Sequence, residues 1–296
     1  MQTVAKVSSG PDRSPARGAA EQTAARSGFA RSAPLALFCW PYRSLILRLA
    51  RREIEARYRG AALGLVWSVL TPLAMLSVYT YVFSVIFQAR WDTPTNGRGQ
   101  FAILLFSGLI VFSIFSECLN RAPSLMLQNV SYIKKVVFPL EVMAWVVLLV
   151  ALFNAAVSFS VLLAFYLMVF GLPPITVVLL PLVLVPLVLA VLGLTWFLAS
   201  LGVFVRDVSQ FIGILTTLTL FMSPILYPVT AIPEAVRPYV YANPLTLVLE
   251  NTKEVLFWGT VPDPGYLALS TLAAWAVAWL GYAWFMRTRK GFADVV

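Results

Sequence analysis

The chain has 296 residues, of which 60% are hydrophobic and 12% charged, with a mean hydropathy of +0.83. About a quarter of a soluble domain is charged, so this composition excludes an ordinary soluble fold and a disordered one. It points to an integral membrane protein. The net charge of +9 would signal nucleic acid in a soluble chain; in a membrane chain it first asks which side holds the Lys and Arg. No histidine is present, which excludes His-based nucleophilic catalysis and His-ligated metal. Cys39 and Cys118 lack CxxC spacing and read as unreactive thiols.

Residues 1–34 are rich in Ala, Ser, Gly, Pro and Arg and hold no apolar run. They read as a disordered cytoplasmic tail, not a signal peptide, although the Arg and Ser content weakly resembles a transit peptide. Residues 35–60 lead to the membrane. Over 43–59, Arg48, Arg51, Arg52, Glu55 and Arg59 share one stripe, and Leu45, Leu49 and Ala56 share another face. This predicts a basic amphipathic helix lying at the membrane surface. An ordinary solvated helix with Glu53–Arg57 and Glu55–Arg59 pairs is the alternative.

Residues 61–296 read as an all-α membrane domain. A spanning helix needs about 20 apolar residues, and six segments qualify: 61–88, 101–120, 139–170, 175–205, 209–229 and 265–286. Pro72, Pro181 and Pro186 predict kinks. With the N-terminus inside, 18 of the 22 Lys and Arg fall inside and 4 outside, so both termini are expected to be cytoplasmic. Between the fifth and sixth spans, Asn243-Pro244 has the form of a helix N-cap followed by Pro at the first helical position. Two short, partly re-entrant helices are expected across 230–264, with Glu250, Asn251, Lys253 and Glu254 on a polar face; a folded surface loop is the alternative.

None of the five lysines precedes Ser or Thr, so no Walker A site is present. Glu117 and Glu141 lie near the inner ends of the second and third spans and read as interfacial. Thr216, Thr219, Ser223 and Tyr227 share one face of the fifth span. Such a stripe either lines a hydrated path or bonds between helices and back to its own carbonyls. Tyr79, Phe83 and Phe87 form an aromatic ridge near the outer end of the first span, suited to stacking on sugars or to the interfacial belt. Trp275, Trp279 and Tyr282 read as packing or belt residues. Gly60, Gly64 and Ser68 have the spacing that permits close helix approach. The loop 121–138 ends in Lys134-Lys135 and Phe138-Pro139, which suits docking on a protein or on lipid phosphates.

Taken in order, these stretches resemble the membrane subunits of polysaccharide-exporting ABC transporters, the type 2 permeases of O-antigen, teichoic acid and capsule export. The resemblance rests on Arg57-Tyr58-Arg59-Gly60, Leu63-Gly64, Trp67 and Pro72; on Asn129, Ile133-Lys134-Lys135, Phe138-Pro139 and Glu141; on Arg206-Asp207; on Ser223-Pro224-Ile225 and Asn243-Pro244; and on the tail Thr288 to Asp294. It covers residues 43–296 and is nearest to the O-antigen exporters.

The resemblance implies a homodimer that binds a separate P-loop ATPase, with ATP and magnesium on that partner and no cofactor in this chain. Arg51, Arg52, Arg57, Arg59, Asn129, Ile133, Lys134, Lys135 and Phe138 would couple to the ATPase. The first and fifth spans would line a channel for lipid-linked polysaccharide through Trp67, Tyr79, Phe83, Phe87, Thr216, Thr219, Ser223 and Tyr227. Pro224, Pro228, Tyr239, Tyr241, Asn243 and Pro244 would form its outer gate. Membrane lipids are further partners, and nucleic acid is not. The competing readings are an exporter of small hydrophobic compounds and, from another class, a membrane-bound glycan enzyme.

Overall fold

Residues 40–86, 100–133, 138–241 and 243–295 are described by the computed structural model. The expected tail 1–34, Phe87, Lys134 and Lys135 lie outside them. Every regular element among the described residues is helical. Five described helical stretches are long and apolar enough to cross a membrane: Gly64–Phe83, Gln100–Leu125, Val142–Phe170, Ile175–Phe204 and Pro264–Gly291.

Helix α1 (Arg43–Tyr58) precedes them. Ile46 and Ala50 are its buried residues, and Glu53 and Arg57 continue that face at helical spacing. The expected apolar face is therefore turned: Leu45 and Leu49 are half-buried and Ala56 is exposed. The reason is that two ion pairs, described below, decide which face docks. The next stretch turns the chain through Gly60 (φ 87°) and Gly64 (φ 51°), where a side chain would meet open space. These glycines supply left-handed backbone, and no other helix of the chain packs closely against them among the described residues.

Helix α2 (Trp67–Tyr79) contains Pro72 and ends in a π-turn over Thr80–Ile86. Helix α3 (Gln100–Leu125) is buried along most of its length. Helix α4 (Val142–Phe170) ends at Gly171 (φ 87°). Helix α5 (Leu180–Phe204) holds Pro186 internally, but Pro181 falls in its first turn. The expected kink at Pro181 is thus a helix start, where the missing N–H costs nothing.

Helix α6 (Val208–Met222) has fifteen residues, about 22 Å at 1.5 Å per residue. The fifth apolar segment ends there and not at 229, because Ser223 is extended (φ −94°, ψ 148°), the conformation favoured before Pro224. Two short helices follow, α7 (Arg237–Tyr241) and α8 (Pro244–Lys253). Helix α9 (Pro264–Thr288) starts on Asp263, whose carboxylate accepts from the Gly265 N–H at 2.7 Å.

The bundle is tightest where α9 crosses α5. A Cβ on Gly281 would collide with the Gly193 backbone, and one on Gly193 with Val277 and Ala278. Gly202 of α5 meets the Pro123 backbone of α3 in the same way. Backbones in such contact gain dispersion along their whole crossing. At the edges, α2, α6 and α9 keep large apolar side chains exposed, among them Leu73, Val78, Phe211, Phe221, Leu269 and Leu272.

Candidate functional site

Charged groups gather at one end of the bundle. Glu117 of α3 accepts from Arg57 of α1 and, at 3.0 Å, from Asn154 of α4. One turn on, Arg121 donates to Glu53 of α1 and lies 3.8 Å from Glu117. This ladder pins α1 to α3 and α4. Removing either partner would leave a half-buried charge short of its counterion. Glu141, at the start of α4, has a side chain only 5% exposed and accepts from Arg289 at 2.7 Å. Its backbone carbonyl accepts from the Trp196 indole at 3.0 Å. Expected at the inner edge of the membrane, this carboxylate is buried within the protein and ties α4 to the end of α9. Phe292 packs there between Phe204 and Phe285.

Beside the ladder, Arg52 donates to the Tyr132 hydroxyl at 3.1 Å, and the Tyr132 ring stacks on Phe138 at 4.4 Å. Asn129 bonds back to the Leu125 carbonyl, and Ile133 is half-buried. Arg51 pairs with Glu55 at 2.8 Å, and Arg59 is exposed. Thus α1 and the 129–138 segment meet through Arg52, Tyr132 and Phe138. Beneath α1, a groove of about 390 Å³ opens between Leu47, Ile54, Leu65, Leu149 and Phe153.

The first-span aromatics divide. Trp67 is exposed; Tyr79 lies 6.4 Å from Phe106, and Phe83 lies 5.1 Å from Phe101. The hydroxyls of α6 all have partners within the chain. Thr216 donates to its own helix at Ile212 and reaches Asn120 of α3 at 3.3 Å. Thr219 donates to Leu215, and the Tyr227 hydroxyl to Phe221. Thr216 and Ser223 are buried, whereas Thr219 and Tyr227 are partly exposed.

At the opposite end, Asn243 caps α8, its Oδ1 accepting from the Leu245 N–H at 3.0 Å, with Pro244 at the first position as expected. Pro224 is buried and Pro228 half-buried; Tyr239 and Tyr241 are exposed. Lys253 is not on a polar face. It is 2% exposed, with its ammonium on the Pro224 carbonyl and the Glu250 carboxylate. Burial lowers its pKa, and Glu250 partly offsets this. Burial and Glu250 together raise the Glu254 carboxyl above its usual range. Thr176 ties the start of α5 to this end by donating to Val255 at 2.7 Å.

Sequence reasoning missed Glu53, Arg121, Tyr132 and Asn154. Asn154 carried a signal: an amide inside a long apolar run asks for a partner. The others had none beyond helical spacing. Among the described residues, no group of His, Cys, Asp or Glu could hold a metal ion.

Residues 44–257 match the ABC-2 type transporter family. Over 259 residues the chain is 29% identical to the O-antigen export system permease protein RfbA of Myxococcus xanthus, covering 87% of this chain and 97% of that protein. It is 23% identical to a protein of the same name from Klebsiella pneumoniae, covering 85% and 95%. It is 27% identical to the polysialic acid transport protein KpsM of Escherichia coli, covering 81% and 91%. With most of its length inside the family match and five apolar helices long enough to cross a bilayer, the chain belongs to the ABC-2 type transporter membrane family.

Proposed function

We propose that this chain is the channel-forming subunit of an ATP-driven exporter that carries lipid-linked polysaccharide, O-antigen foremost, out of the cytoplasm. The alignment over 91–97% of the lengths of relatives named for O-antigen export and polysialic acid transport carries this reading. The chain contributes the path, and a separate P-loop ATPase contributes ATP, magnesium and hydrolysis.

In this reading α6 is the sixth crossing. Helices α5 and α9 both end beside Phe292, so the chain between them must return across the bundle once. Both termini face the cytoplasm, in keeping with the excess of Lys and Arg on that side. The exposed Arg43, Arg48, Arg51 and Arg59 of α1 lie against lipid phosphates. The ATPase docks on α1 and on the Arg52–Tyr132–Phe138 cluster. Two copies of the chain close the channel, covering the apolar faces that α2 and α6 leave open. Trp67, Tyr79, Phe83, Thr219 and Tyr227 border the path, where stacking and exchangeable hydrogen bonds let a glycan slide without being trapped. Helices α7 and α8 close its outer end.

The test is co-expression with candidate P-loop ATPases from the same genome. A stable complex is expected, its ATP hydrolysis rising on addition of lipid-linked glycan. Deleting the chain should strand glycan on the cytoplasmic face. Failure to form a complex with any such ATPase would overturn the reading.

A further inference from the structure

The two ends of α8 grip consecutive residues of one turn. At its start, Asn243 Nδ2 donates to Ser223 Oγ at 2.9 Å. From its last residue, Lys253 Nζ reaches back to the Pro224 carbonyl at 2.6 Å and to Glu250 Oε1 at 2.9 Å. Lysine side chains on a helix lean toward its N-terminus, which brings the ammonium over the turn. Ser223, Pro224 and Ile225 are all buried, and Ile225 packs over Gly108 of α3.

That turn is where α6 stops. A helix end presents unpaired carbonyls and the negative end of its dipole. Ser223, held extended before Pro224, turns the chain out of the helix. Two of its last carbonyls are satisfied locally, Thr219 by the Ser223 N–H and Phe221 by the Tyr227 hydroxyl; just beyond them, α8 adds a donor on Ser223 Oγ and a positive charge on the Pro224 carbonyl. Glu250, one turn before Lys253, fixes the ammonium against that carbonyl.

We propose that Lys253 is a positioning residue that latches α8 onto the end of α6. The two helices then move together, or part only by stranding a buried ammonium. Parting is therefore all-or-none: either the charge sits on its carbonyl or the helix leaves with it, because packed polar contacts of this kind are bistable and not continuously deformable. The place of the latch at an outer gate rests on the exporter reading; its contacts do not.

The test uses the purified full chain in detergent, carrying Ile225→Cys and Cys39→Ser. A water-soluble maleimide is the probe, and peptide-resolved mass spectrometry follows each thiol. Cys118, fully buried in α3, is the internal control. In the chain with Lys253 intact, the introduced thiol should label slowly. Lys253→Met should speed its labelling at least tenfold while Cys118 stays silent. Glu250→Gln leaves the amine its carbonyl and should give a smaller rise. An unchanged rate in Lys253→Met overturns the latch. So does a rise shared by Cys118, since the lysine would then hold the whole fold and not this turn. Labelling needs neither ATPase nor glycan. Loss of the exporter reading would therefore come from the co-expression experiment alone, and loss of the latch from this one alone.

Discussion

Arg57 and Glu117, sixty residues apart, are bonded across the junction of α1 and α3, and Asn154 of α4 donates to the second oxygen of the same carboxylate. One side chain thereby joins three helices. A shift of α1 must either carry α3 and α4 with it or break this carboxylate's bonds.

That junction is measurable. A double-mutant cycle of Arg57→Ala and Glu117→Ala should give a coupling energy of about 1 kcal/mol, at the upper end for partly exposed pairs. Thermal unfolding of the purified variants reads it. Strictly additive losses would mean that the two side chains hold α1 independently.

The Glu141–Arg289 pair should behave differently, because its carboxylate is almost fully buried. Arg289→Ala leaves that charge unpaired and should cost about 3 kcal/mol. Adding Glu141→Leu removes the stranded charge and should recover most of the loss. Melting temperatures of the single and double variants decide it, and a double variant no better than Arg289→Ala refutes the account.

Backbone contact at the α5–α9 crossing predicts a strict preference for glycine. Gly281→Ala should destabilise by about 1–3 kcal/mol, since neither backbone can yield without separating the helices. Gly213→Ala in α6 meets open space and should stabilise by about 0.5–1 kcal/mol through helix propensity. Comparing their unfolding midpoints separates packing from propensity.

At Gly60 the reverse holds: space is free but φ is 87°. Gly60→Ala should cost about 1–2 kcal/mol from left-handed backbone strain, and Gly60→Asn less, because Asn tolerates that region. Equal losses for the two, measured by the same unfolding assay, would show that packing and not backbone conformation is at stake.

The proposed docking cluster predicts a binding defect without a folding defect. Phe138→Ala removes the ring stacked on Tyr132 and should weaken ATPase-subunit binding about tenfold, or roughly 1.4 kcal/mol. Titration of the purified subunits reads the affinity. An unaltered Kd would remove this cluster from the interface.

Features written in local order could be read from the chain. Apolar run length located the five long helices, because a bilayer sets how many residues must be apolar. Asn243-Pro244 announced the start of α8, since a cap and the first turn lie within a few residues. Arg52 and Phe138 lie on segments that the structure brings together, although Tyr132, which joins them, carried no separate mark. Features requiring two distant segments could not be read. Gly193 and Gly281 matter only because their helices cross at that point. Lys253 looked like a surface cation until Pro224 came to lie over it. Glu53 and Arg57 looked like a pair within one helix until Arg121 and Glu117 claimed them.

By itself the sequence determined that this is a helical membrane protein of a recognisable transporter family. Hydrophobicity and charge asymmetry act residue by residue and need no fold to be felt. Only the tertiary structure decided which polar groups satisfy one another. A buried charge or carbonyl takes whatever donor or acceptor packing brings within about 3 Å, and that neighbour lies on a distant segment: Arg289 for Glu141, Arg57 for Glu117, and Lys253 for the Pro224 carbonyl.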